Sequence, residues 1–203
     1  MRQKIKNYIN LLENKWGKFE TTQYMERQKQ LLFLGENYYL NKLYNAISIE
    51  TYDIIEKKFN IMLIPELKEF YKNYNGISLF YASFIILGIN YFEDMNKRAF
   101  GPTDFIAQNR VTLIHTRHKD KYNNMIQFGI CGTCALCYDK DDMKKIYSIE
   151  VNKGDIIHIF NSFNEAFDYY FEKLIEEYNG NGEKIHQDPN AVSIFRNQTR
   201  EII

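Results

Sequence analysis

The chain has 203 residues, 45% of them hydrophobic and 16% aromatic, and its 26 Lys and Arg are matched by 26 Asp and Glu. That length and apolar content suit one domain with an extension and exclude a chain disordered over most of its length. The charge balance argues against a basic nucleic-acid binder and against an acidic mimic of nucleic acid.

No apolar run approaches the roughly 18 residues of a membrane-spanning helix. The stretch MRQKIKNYIN carries positive charge with no apolar region behind it, so a secretory signal is not expected. Three Cys within seven positions do not make a disulfide framework. The expected compartment is the cytoplasm.

Residues 2–34 read as helical. Ile5, Ile9, Leu12, Trp16 and Phe19 recur at helical spacing, Gly17 weakens the run, and a second stretch carries Tyr24, Leu31 and Leu32. Residues 35–48, rich in Asn and Tyr, read as a connector. Residues 1–47 therefore form a helical N-terminal extension, followed by a main domain over 48–180 and a polar C-terminal tail over 181–203.

The main domain opens with a helix over 49–59. Tyr52, Ile55 and Phe59 share one of its faces, and Ser48 or Thr51 is placed to cap it. Pro65 starts the next helix, where its missing N–H costs nothing. Leu67, Phe70, Tyr71 and Tyr74 follow on one face, and Asn75-Gly76 reads as the stop. A β-like run covers 83–89, while 104–114 leaves helix and loop both open. Short apolar runs follow at 126–128, 135–138, 146–151 and 156–160, punctuated by Gly129, Gly132, the acidic turn 139–142 and Asn152-Lys153-Gly154. Such short spacers favour antiparallel hairpins. Ser162-Phe163-Asn164-Glu165 is a capping box, and Phe163, Phe167, Tyr170, Phe171, Leu174 and Tyr178 give the last helix a broad apolar face ending at Asn179-Gly180. The predicted class is α+β: an antiparallel or mixed sheet of about 4–6 strands with helices packed against it.

The segment TYDIIEKKFNIMLIPELKEFYKNYNGISLF resembles the opening of the SMI1/KNR4, or SUKH, superfamily: a helix, an apolar-Pro step at Ile64-Pro65, a second helix, and the stop Tyr74-Asn75-Gly76. IQFGICGTCALCYDKDDMKKIYSIE resembles the family's strand, Gly turn and strand ending in Asp, carried by Phe128, Gly129 and Asp139. NSFNEAFDYYFEKL resembles its closing Ser-Phe-x-x-Phe helix, at Ser162 and Phe163. The blocks span roughly residues 49–178. Each motif alone is weak, and the ordered set is more specific. The departures are Ile in place of Leu before Pro65, and Cys131 and Cys134 in the Gly turn. The resemblance implies binding without catalysis or cofactor. Bacterial members are commonly immunity proteins that neutralise one cognate toxin, and fungal members look like regulatory scaffolds. Monomer or weak homodimer is expected.

Three constellations bear on chemistry. Cys131, Cys134 and Cys137 at x2 spacing, with His115 and His118 upstream, have the residue types of a zinc site or of a thiol nucleophile with its base. Against that, Cys137 sits inside an expected strand, where Cys packs as a small hydrophobe. Glu93-Asp94 and the cluster Asp139, Asp141 and Asp142 lie on expected loops. They suit charge complementarity to a basic partner, with a solvated turn as the plain alternative. Tyr38, Tyr39 and Tyr44 in the extension are candidate aromatic contacts. No phosphate-binding glycine loop and no H-E-x-x-H is present.

Overall fold

The computed structural model describes residues 2–16, 31–34, 41–46, 48–89, 103–111, 117–179 and 185. Among these, eight strands form one antiparallel sheet whose spatial order is the chain order: β1 (Leu31–Leu34), β2 (Asn41–Asn45), β3 (Tyr74–Leu79), β4 (Phe84–Ile86), β5 (Met125–Cys131), β6 (Cys134–Asp139), β7 (Ile146–Glu150) and β8 (Ile156–Phe160). Six helices accompany them: α1 (Arg2–Trp16), α2 (Ile49–Phe59), α3 (Pro65–Tyr71), α4 (Phe105–Val111), α5 (Lys119–Tyr122) and α6 (Phe163–Glu176). The α+β class and antiparallel pairing match the sequence reading. The sheet is wider than expected because β1 and β2 lie where a helix and a connector were read.

Strand alternation sorts the side chains. Leu43, Ile77, Phe84, Phe128, Leu136, Tyr138, Ile146 and Phe160 face the main core, with Tyr52, Leu67, Phe70, Tyr71, Phe163 and Phe171 from the helices. Phe70 of α3 packs against Phe163 and Phe167 of α6, at ring separations of 5.8 and 6.5 Å. From α1, Tyr8, Ile9 and Leu12 line an apolar pocket with Leu43, Phe167 and Phe171. Tyr8 also donates to Asp168 at 2.6 Å, and Lys15 Nζ to the Ile175 carbonyl. The opposite face carries a smaller cluster: Tyr122 of α5 with Met125, Ala135, Cys137 and Ile149.

Local chemistry explains most element ends. Asn60 takes the left-handed conformation (φ 50°) after α2, and Pro65 sits in the first turn of α3. Ser48 precedes α2 without capping it by its side chain. At α6, Ser162 Oγ accepts from Glu165 N–H at 3.1 Å, while Glu165 Oε2 accepts from Asn161 N–H at 2.8 Å. The capping box thus reaches one residue further back than the usual pattern.

Tyr74-Asn75-Gly76 does not stop α3, which ends at Tyr71; it opens β3. Gly76 has φ +91°, and a Cβ there would lie 2.8 Å from the Ile86 carbonyl oxygen, so backbone crowding demands glycine. The Asn75 side chain, 2% exposed, donates to Ile89 O at 2.8 Å and accepts from Ile89 N at 2.7 Å. It satisfies the backbone where the β3–β4 ladder has ended. Asn109 of α4 does the same for Gln127, at 2.8 Å in each direction. Buried backbone groups need such partners.

Candidate interaction surface

The sequence-selected residues scatter. Asp139 ends β6, and the turn after it closes on itself: Asp139 Oδ1 accepts from Asp141 N–H at 2.8 Å, Asp141 Oδ2 from Asn124 at 2.5 Å, and Asp142 Oδ1 from Lys144 N–H at 3.4 Å. These are turn-forming bonds, and the exposed Lys140, Lys144 and Lys145 interleave with the acids. Tyr38, Tyr39, Glu93, Asp94 and His115 lie outside the described residues. Tyr44 is buried, 8% exposed, and burial raises its hydroxyl pKa to about 12.

The cysteines divide between the faces of the sheet. Cys134 and Cys137 are three apart on β6, so period-two alternation points them to opposite sides. Cys137 is fully buried in the smaller cluster, and burial holds its thiol well above the usual range. His118 is used elsewhere: its ring packs under Gly154, and its Nε2 lies 3.2 Å from Val151 O. Among the described residues, no three His, Cys, Asp or Glu side chains gather as a metal site.

Two regions stand out that residue-by-residue inspection of the sequence missed. The first is β8, hydrogen-bonded on one side only among the described residues. Its residues, IIHIF, include no Lys, Arg, Asp, Glu or Pro, the usual guards of an open edge. Ile156, Ile157 and Ile159 are 42%, 48% and 53% exposed. Ile159 lies across from Tyr147. On the helix side His158 meets the half-exposed Tyr169, with ring centroids 4.9 Å apart and the Tyr169 hydroxyl 3.3 Å from Nε2. Apolar surface therefore wraps around an edge whose outer backbone groups pair with no strand among the described residues.

The second lies where the β3–β4 and β5–β6 turns meet beside the end of α6. Phe80, Tyr81 and Ala82 all have positive φ, 55°, 54° and 65°, and each such non-Gly residue costs on the order of 1 kcal/mol or more. Phe80 N–H donates to Asn41 Oδ1 at 3.1 Å, Phe80 O accepts from Tyr178 at 3.1 Å, and the Phe80 and Tyr178 rings stack at 5.3 Å. Gly132 N–H then ties the second turn to Ser83 O at 2.9 Å.

A sequential antiparallel sheet with its larger helices on one face and a short helix on the other defines an α+β module. The sequence profile of the SMI1 / KNR4 family (SUKH-1) matches residues 46–169, more than half of the chain. The chain belongs to that family. No curated protein matches it. The matched span starts just after β2, so α1, β1 and β2 lie ahead of it. Among the described residues no helix is long and apolar enough to cross a membrane.

Proposed function

We propose that this chain is an immunity protein that binds one protein toxin in the cytoplasm and blocks it stoichiometrically, by covering it and not by chemical modification of it. The observation that carries the reading is β8. Its outer edge, unpaired among the described residues, and its exposed isoleucines suit one occupant, an extended apolar segment of the toxin added as a ninth strand. Strand addition draws affinity from main-chain hydrogen bonds and specificity from alternate side chains. Family membership supports a binding role, given what the SUKH resemblance implies.

A working interface would bury roughly 1,200–2,000 Å² in total, beyond what one strand supplies. His158, Tyr169 and Tyr147 flank β8 and extend it. The test is titration of the purified chain into a panel of bacterial toxin domains. One of them is inhibited with an end point of one chain per toxin, and Ile159→Lys weakens that inhibition at least about tenfold, or about 1.4 kcal/mol. A panel that binds nothing stoichiometrically overturns the immunity reading. Inhibition untouched by Ile159→Lys and Ile157→Lys removes β8 as the docking edge.

A further inference from the structure

The β5–β6 hairpin carries a feature that the binding reading does not use. Cys131 and Cys134 are register partners, directly across from each other on either side of Gly132-Thr133. Gly132 has φ +55°, and the two-residue turn it opens holds the strands in tight register. Directly opposed residues share a face of the sheet, with Cβ atoms about 4.5–5.5 Å apart. A disulfide needs Cβ atoms about 3.5–4.5 Å apart and Cα atoms within about 4.4–6.8 Å. A small closing of the hairpin therefore brings the two sulfurs into bonding range. Both thiols are free and half-buried, whereas Cys137 is buried on the opposite face.

We propose that Cys131 and Cys134 form a reversible dithiol–disulfide site that reacts with small organic disulfides. This inference stands independently of the toxin-binding reading. The Cys134 thiolate attacks one sulfur of the disulfide RSSR, forming a mixed disulfide and releasing one thiolate RS⁻. Cys131 loses its proton to solvent base and attacks the Cys134 sulfur, which releases the second RS⁻. The two protein thiols are oxidised to one disulfide, and RSSR is reduced to two RSH once the thiolates take up protons. Burial and the neighbouring Cys134 raise the Cys131 pKa to about 12, so Cys131 waits as a thiol and serves as the resolving partner. The thiolate is the attacking form in such exchange. The site adjoins Phe80, Tyr81 and Ala82, because Gly132 is hydrogen-bonded to Ser83 and Cys131 pairs with Phe84. Closing the hairpin therefore pulls directly on the strained turn.

The experiment exposes the folded, full-length chain to glutathione disulfide, denatures it, alkylates it and weighs it. The expected result is a chain two hydrogens lighter before alkylation that takes up one alkyl group, at Cys137, where the reduced chain takes up three. Cys131→Ser is expected to stop at a glutathione adduct on Cys134, and Cys134→Ser to acquire no intramolecular disulfide. Cys137→Ala, in which the candidate pair is intact, is expected to lose both remaining thiols to the internal bond. Three alkyl groups after oxidant, a persistent glutathione adduct on the unaltered chain, or a bond that includes Cys137 would each overturn the proposal.

Discussion

The two faces of the sheet are made by the same strands and finished differently. Toward the helices, β2 to β8 meet a continuous layer of aromatic rings from α2, α3 and α6, with Leu12, Ile9 and Tyr8 of α1 closing one end. Toward the other side, β5 to β7 offer Met125, Ala135, Cys137 and Ile149 to a smaller cluster with Tyr122, flanked by Tyr147 and Val151. The polar groups follow the same division. On the helix side Ser148 and Tyr170 pair at 2.6 Å across a buried contact. On the other side the Tyr122 hydroxyl and Lys121 both donate to Gly154 O, at 2.6 and 2.8 Å, pinning α5 to a turn. Among the described residues, the helix face thus carries the larger core and the other face the smaller one.

Substitutions can break that contrast, and the largest effect is expected on the helix side. Phe70→Ala removes a fully buried ring from between α3 and α6 and is expected to cost about 3–5 kcal/mol, read as a lowered urea midpoint. Equal loss from Ile149→Ala would contradict the two-faced description. That change is expected to fall at the low end of the range for aliphatic truncation, about 2 kcal/mol, because its cluster is small.

High pH probes the helix side as a whole. Burial raises the Tyr71, Tyr138 and Tyr170 pKa values above the ordinary value near 10. The unfolded chain therefore releases these protons first as pH rises. Their contribution is complete below about pH 10 and is lost as pH climbs through the raised values. Denaturant unfolding followed from pH 8 to 11 should show stability flat at first and falling only in the last unit. The smallest effect belongs to the edge. Ile159→Lys is expected to leave stability within about 0.5 kcal/mol while weakening the proposed toxin inhibition at least about tenfold, so loss of both together would mean that β8 is structural and not a docking edge.

The sequence made much of this legible where local signals suffice. Pro65 and the Ser162–Glu165 box mark real helix ends, and β5 to β8 follow from short apolar runs separated by turn residues. Leu31–Leu34 failed because a four-residue apolar run fits a helix segment as well as a strand. Its register with β2, and that of Leu43 with Ile77, are tertiary facts. Asn75-Gly76 failed for a related reason. Both residues tolerate left-handed backbone, which suggested a helix stop, but the crowding against Ile86 and the bonds to Ile89 decide their role. The open edge was invisible because being last in a sheet is a property of pairing order and not of IIHIF. The acidic turn was legible in its plainer form: its carboxylates hold the turn together.

The strands of the sheet pair in chain order, whereas the helices on it meet from distant parts of the chain. Tyr8 reaches across 160 positions to Asp168, and its ring lies 4.2 Å from that of Phe171. During synthesis each hairpin can zip as it leaves the ribosome, yet the seat of α1, lined by Leu43, Phe70, Ile77 and Leu79 as well as Phe167 and Phe171, is complete only when α6 has been made. A nascent chain stalled ahead of residue 163 therefore leaves Tyr8, Ile9 and Leu12 only partly covered, and protease sensitivity near them should drop when the final helix arrives.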